Sequence, residues 1–260
     1  MSSNRSSRLV VAALLLAVVA AGPAAAVTVS SGTVPPAAEV GSSVDVTYTF
    51  TDLYTSYDRW TLTGETELTS VTWTVTTKGV GGEVIEQVSF TGHSFSYTIA
   101  KSAGVATVTV RVQGTVPEWS HWSYQPPQSL TIASFDETQS GGAVTNLTTS
   151  TTRPYTEASQ AARTAIEEAQ AAIDAAVAAG ADVSEAKSLI SNAISAYNAG
   201  NFQNAQDLAQ DAKSSALAAK QSSQRTRTLM LIGGAVVVLA LIGGAVYWYL
   251  SNRDTYDKLG

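Results

Sequence analysis

The chain contains no cysteine, so it has no disulfide framework, no thiolate nucleophile and no cysteine-ligated metal. Histidine is almost as scarce. His93 and His121 are the two copies, and the ligand set for a zinc or copper cluster is missing. Charge is sparse: 14% of residues are Asp, Glu, Lys or Arg, with 21 acidic against 15 basic. No clustered basic face of the kind a nucleic-acid partner needs is present. G-x-S-x-G, Walker and dinucleotide-binding motifs are all absent. Asp52, Asp58, Glu65 and Glu67 lie near one expected loop but lack the spacing of a calcium loop, and read as solvated carboxylates. No carboxylate pair stands out for glycoside cleavage. The expectation is a protein that is not an enzyme and uses no cofactor.

Long apolar runs occur only at the two ends. Arg5 and Arg8 precede an apolar stretch over residues 9–21, followed by Gly22-Pro23-Ala24-Ala25-Ala26. That order is the layout of a secretory signal peptide (residues 1–26), with Val27 as the mature N-terminus. Residues 229–250 carry no charge and are long enough to cross about 30 Å of hydrocarbon as a helix. Tyr247, Trp248 and Tyr249 close that stretch, where amphipathic rings favour the headgroup zone. The expected span is 228–250 and the expected cytoplasmic tail 251–260. Lys213, Lys220, Arg225 and Arg227 before the span outnumber Arg253 and Lys258 after it, and alone would invert that orientation. The signal peptide takes precedence, because it commits the following chain to export. The expected location is the cell membrane, single-pass, with most of the chain extracellular and the C-terminus cytoplasmic.

Residues 27–137 alternate with a period of two. In 43–50, Val44, Val46, Tyr48 and Phe50 share one face, and the pattern returns in 71–76, 95–99 and 108–112. Further strands are expected at 27–31, 83–90 and 129–135. Turn signals divide them: Pro35-Pro36, Gly79 with Gly81-Gly82, Gly92, Gly104 and Pro126-Pro127. Seven short strands of this kind predict an antiparallel β-sandwich.

Residues 138–154 are rich in Ser, Thr and Gly and read as a linker, with an N-glycosylation acceptor at Asn146. An alanine-rich helical stalk over 155–227 follows. Thr156 is placed to cap the first helix, on which Ala162, Ala165, Ala169, Ala172 and Ala176 recur with Ile166 and Ile173; Gly180 ends it. Asp182 and Glu185 form a capping-box-like start to the second helix, which Gly200 ends. Asn201 caps the third, with Phe202, Ala205, Ala209, Ala212, Ala216 and Ala219 in one stripe. Small alanine faces bury little apolar area, so this stalk is expected to be modestly stable alone. Its first and third helices would each extend about 30–35 Å at 1.5 Å per residue. In the span, Gly233, Ala240 and Gly244 fall on one face, a small-residue stripe for helix–helix association and homo-oligomers.

Trp73 on the third expected strand, and 95–99 followed by Gly104 and 105–110, resemble the core Trp and the E and F strands of Ig-like and PKD-like surface domains. Ala193, Gly200, Phe202, Ala205, Ala209 and Ala212 resemble the small, turn and aromatic positions of one tetratricopeptide repeat. The order of signal peptide, sandwich, linker, helices and anchor is similar to archaeal cell-surface proteins. The resemblance implies a structural or interaction role in the envelope, such as S-layer attachment or adhesion, with an envelope protein or glycan as partner. An Ig-like connectivity would put two aromatic-rich loops at the outermost tip, with Tyr54, Tyr57 and Trp60 in one and Trp119, Trp122 and Tyr124 in the other. Such a tip suits glycan or solute binding; alternatively the rings pack on one another and pin the loops. A third reading is an accessory subunit whose stalk packs against a larger membrane complex.

Overall fold

The computed structural model describes residues 27–139 and 141–253; the expected signal peptide and tail residues 254–260 lie outside them. The fold is mixed α+β, with ten strands ahead of three long helices. The described residues form two compact units, one of 27–118 with 129–154 and one of 119–128 with 155–253.

The β unit holds two five-stranded sheets. The first runs β1 (Thr28–Ser31), β3 (Ser43–Thr51), β8 (Thr107–Thr115), β5 (Thr69–Lys78) and β6 (Val84–Thr91). The second runs β2 (Ala37–Glu39), β10 (Val144–Tyr155), β9 (Leu130–Thr138), β4 (Arg59–Glu65) and β7 (Ser94–Ala100). Period-two alternation sets the register. Val44, Val46, Tyr48 and Phe50 are all buried, and β3 pairs antiparallel with β8 so that Val46 faces Val112 and Tyr48 faces Val110. Rings from both sheets converge on Phe135 of β9: Tyr48 at 4.8 Å, Phe50 at 5.1 Å, Trp73 at 6.0 Å and Phe95 at 6.4 Å. Tilted and edge-on pairs of this kind each add about 0.5–1.5 kcal/mol beyond their area burial. Trp73 is fully buried and donates its indole N–H to the Gly92 carbonyl at 3.0 Å.

Three strands, β2, β4 and β10, lie where irregular segments were expected. Residues 59–65, placed in a long loop by the sequence reading, are β4, lying between β9 and β7. Its inward positions are Trp60, Leu62 and Gly64, and the glycine blurs the alternation. The packing requires that glycine, because a Cβ there would sit 2.3 Å from Phe95 Cε1 and 3.1 Å from Phe135 Cε1. The expected Ser/Thr-rich linker is largely β10, a 12-residue strand antiparallel to β9. Its Thr-rich composition suits a pleated, half-solvated surface, and pairing with β9 supplies what composition does not display. Asn146 therefore lies on a strand rather than in a linker. It is exposed, yet its Nδ2 donates to Asp136 Oδ1 at 2.8 Å, Ser134 Oγ at 3.2 Å and the Phe135 carbonyl at 3.3 Å.

The helical unit contains α1 (Glu157–Ala178), α2 (Ser184–Asn198) and α3 (Phe202–Arg253). Thr156 caps α1 through a reciprocal box with Ser159: Ser159 N donates to Thr156 Oγ1 at 3.2 Å, and Thr156 N donates to Ser159 Oγ at 2.8 Å. Asp182 does not form the expected box with Glu185. It accepts from Ser184 N at 3.0 Å and Ser184 Oγ at 2.6 Å, which holds its carboxyl below the usual range, while Glu185 accepts from Ser215 Oγ at 2.9 Å. Asn201 Oδ1 accepts from Asn204 N at 3.4 Å at the start of α3. Ala162, Ile166, Ala169, Ile173, Ala186, Ile190, Ala193, Ala205, Ala209, Ala212 and Ala216 are buried together. Both shorter helices pack on α3 more extensively than on each other. α3 is unbroken over 52 residues, so the expected boundary between stalk and span falls inside one helix.

Candidate functional site

The six aromatic residues expected at one tip divide between the two units. Trp60 belongs to the core of the β unit: 1% of it is exposed, and its indole N–H donates to the Leu53 carbonyl at 2.8 Å. Tyr54 and Tyr57 are half-buried, in the turn ahead of β4. Burial pushes the Tyr54 phenol above its usual range.

Trp119, Trp122 and Tyr124 leave the β8–β9 connection and join the helical unit. Trp122 meets Phe202 edge-on at 4.9 Å, Tyr124 meets Tyr197 at 5.8 Å, and Tyr197 meets Phe202 at 5.4 Å. Phe202 opens α3 and Tyr197 closes α2, so the loop seals the α2–α3 turn. Gly200 in that turn has a positive φ of 76°, and a Cβ there would lie 3.5 Å from Trp122 Cδ1. The left-handed backbone favours glycine at this position, and the indole packs at ordinary contact distance from it.

Polar contacts fix the loop further. Tyr124 N donates to Asn198 Oδ1 at 2.8 Å. Arg163 of α1 lies with its guanidinium carbon 4.6 Å from the Tyr124 ring centroid, and donates to the Tyr124 carbonyl at 3.3 and 3.4 Å. Glu167 pairs with Arg163 at 3.1 Å. Burial pushes the Tyr124 phenol up, Glu167 adds to this, and Arg163 opposes it. Within the loop, Trp119 Nε1 donates to the His121 carbonyl at 2.8 Å, and Ser123 Oγ donates to the Pro126 carbonyl at 2.6 Å. The Trp122 and Tyr124 rings therefore face helix side chains. Tyr197, Phe202, Asn198 and Arg163 complete the cluster. The sequence reading missed their role, because they reach Trp122 and Tyr124 only through long-range packing.

Three of the acidic residues near β4 have separate occupations. Asp52 accepts from Thr28 Oγ1 at 2.8 Å, Asp58 pairs with Lys101 at 3.1 Å, and Glu67 accepts from Thr131 N. Among the described residues no group of three His, Cys, Asp or Glu is placed to hold a metal ion. A second polar cluster joins β6 and β7: Tyr97 Oη donates to Glu86 Oε2 at 2.7 Å. Burial and that carboxylate push the Tyr97 phenol up to about 12.

The second half of α3 is long and apolar enough to cross a membrane, with a mean hydropathy of 2.6 in its most apolar window and none of that window buried in the protein. Ala240 and Gly244 lie on the exposed helix surface, and Gly233 lies on the same helix.

No family model matches the chain, and no curated protein matches it. Solved structures similar to part of it include the following two. AvmM, described as catalysing macrocyclization in alchivemycin A biosynthesis, is 10% identical over 49% of this chain and 88% of its own, with a TM-score of 0.30. A DUF4466 family protein from Parabacteroides merdae ATCC 43184 is 15% identical over 51% of this chain and 45% of its own, also with a TM-score of 0.30. Likeness at this level assigns neither fold nor activity.

Proposed function

We propose that the chain is a membrane-anchored cell-surface protein with a structural or interaction role, presenting its β unit outside the cell for envelope attachment or adhesion. The observation that carries this reading is the unbroken α3. One helix begins in the packed helical unit and continues through an uncharged stretch that no other described residue covers. We read the two antiparallel sheets as an Ig-like sandwich, on the strength of the Phe135-centred aromatic core. The signal peptide and the outward orientation follow from the sequence pattern at residues 1–26. The reading assigns the protein no catalytic step and no cofactor. It favours a structural role over glycan binding by a ring-lined tip, because Trp60, Trp122 and Tyr124 are engaged in packing.

Protease treatment of intact cells carrying a C-terminally tagged chain tests the proposal. The expected result is loss of the β unit, a small protected tagged stub and a mature terminus near Val27. A chain protected in intact cells and cut only after lysis would refute the orientation.

A further inference from the structure

We propose that the turn between α1 and α2, with the stretch of α3 beside it, is a lipid-contact surface seated in the phospholipid headgroup layer. The inference rests on residues 229–250 being the membrane span. Ser223 Oγ donates to the Ala179 carbonyl at 3.1 Å, which pins the turn to α3 at that level. Ser223 stands six residues ahead of Leu229, about 9 Å along a helix rising 1.5 Å per residue. The headgroup layer occupies roughly 5–7 Å on each side of the hydrocarbon. Ser223 thus stands about 2–4 Å outside that layer, while Thr226, which lines the same cleft three residues ahead of Leu229 and about 4.5 Å from it along the helix, stands within it.

A cleft between turn and helix carries the argument further. It has a volume of about 640 Å³, and its lining includes Val177, Ala179 and Asp182 on the turn side and Ser222, Thr226 and Met230 on α3. Met230 belongs to the uncharged stretch itself, so one cleft joins the turn to the start of the span. Its lining combines hydroxyl and carboxylate groups with apolar ones. Val177 is 49% exposed and Met230 is 71% exposed, which water disfavours and an interfacial lipid would cover. The chain from Ala175 to Ala181 bears no charge, and the one carboxylate after it is held by Ser184. Exposed Arg225, three residues beyond Ser222, offers a cation at the depth of lipid phosphate. Phospholipid headgroups of the surrounding bilayer are therefore the occupant.

The absence of cysteine makes the test clean. Full-length Ala178→Cys, Ser222→Cys, Asn204→Cys and Val238→Cys chains are each labelled with an environment-sensitive fluorophore. They are then reconstituted in phosphatidylcholine vesicles, with or without phosphatidylcholine spin-labelled on the headgroup or deep in the acyl chain. All four positions are exposed. The expected result is that probes at 178 and 222 lose most of their emission to the headgroup label, the probe at 204 keeps its emission, and the probe at 238 is quenched by the acyl-chain label. Probes at 178 and 222 that match 204, with 238 quenched, overturn the headgroup seat and leave the span intact. An unquenched probe at 238 overturns the span, and the seat with it.

Discussion

Removing the Trp122 ring tests whether residues 119–128 are part of the helical unit's packing. Trp122 is half-buried and edge-on to Phe202. Complete truncation of a fully buried Trp or Phe costs about 3–5 kcal/mol. Roughly half of that, about 2 kcal/mol, is expected for Trp122→Ala, with Phe202→Ala similar. The two changes should not add, because each removes the same ring pair; a coupling energy of about 0.5–1.5 kcal/mol is expected from the double variant. In a unit of about 100 residues a 2 kcal/mol loss lowers Tm by about 8–16 °C. The assay is thermal unfolding of the full chain in mild detergent, followed by far-UV circular dichroism at the helix band. Melting of the helices unchanged by Trp122→Ala, together with strict additivity in the double variant, would show that the loop rests on the helices without stabilising them. The ring would then be available to a ligand, and the packing argument would fail.

Three further outcomes follow from the geometry. Gly64→Ala should destabilise the β unit by about 1–3 kcal/mol, read as a lower urea midpoint, because Phe95 is held between Trp73 and Phe90 and cannot yield to the added methyl. Tyr197→Phe should leave stability unchanged or raise it by about 1 kcal/mol in the same titration, since the ring is fully buried and its hydroxyl has no hydrogen-bond partner among the described residues. Glu137 is buried on β9, and desolvation raises its pKa above 4.5. A raised folded-state pKa means that stability is fully present below the unfolded value and is lost as pH rises through the folded one. Glu137→Gln should therefore be the more stable protein at pH 7. The gap should close as pH falls below about 4.5, and a gap independent of pH would contradict the assignment.

Much of this architecture was legible along the chain, for a physical reason. Alternation in β3, β5, β7 and β8 is a local consequence of the pleat, and Val, Tyr, Phe and Trp on one face mark it without reference to any partner. Helix ends are local too: Thr156, Gly180, Gly200 and Asn201 act within a few residues of themselves. The failures are nonlocal. β4 hides its register behind Gly64, whose identity is dictated by rings on β7 and β9. β10 earns its hydrogen bonds from β9, and its Thr-rich face resembles a linker until that neighbour is present. The aromatic loop was the hardest to place, because Trp122 and Tyr124 find Phe202 and Tyr197, respectively 80 and 73 residues away along the chain. Ring content marked the loop as important and left open whether its partner was a ligand or the protein itself.

The unbroken α3 also fixes the rotational phase between bundle and span. Eighteen residues make about five whole turns at 3.6 residues per turn, so residues that far apart share one azimuth. Ser215 stands above Gly233, Ser222 above Ala240 and Thr226 above Gly244. The upper three line the clefts beside the α1–α2 turn; the lower three are the small-residue stripe. The turn consequently overhangs the very face on which two spans would approach. Parallel copies meeting high on the stripe would collide at their turns, so close pairing is restricted to the Gly244 end or to a partner helix with no such overhang.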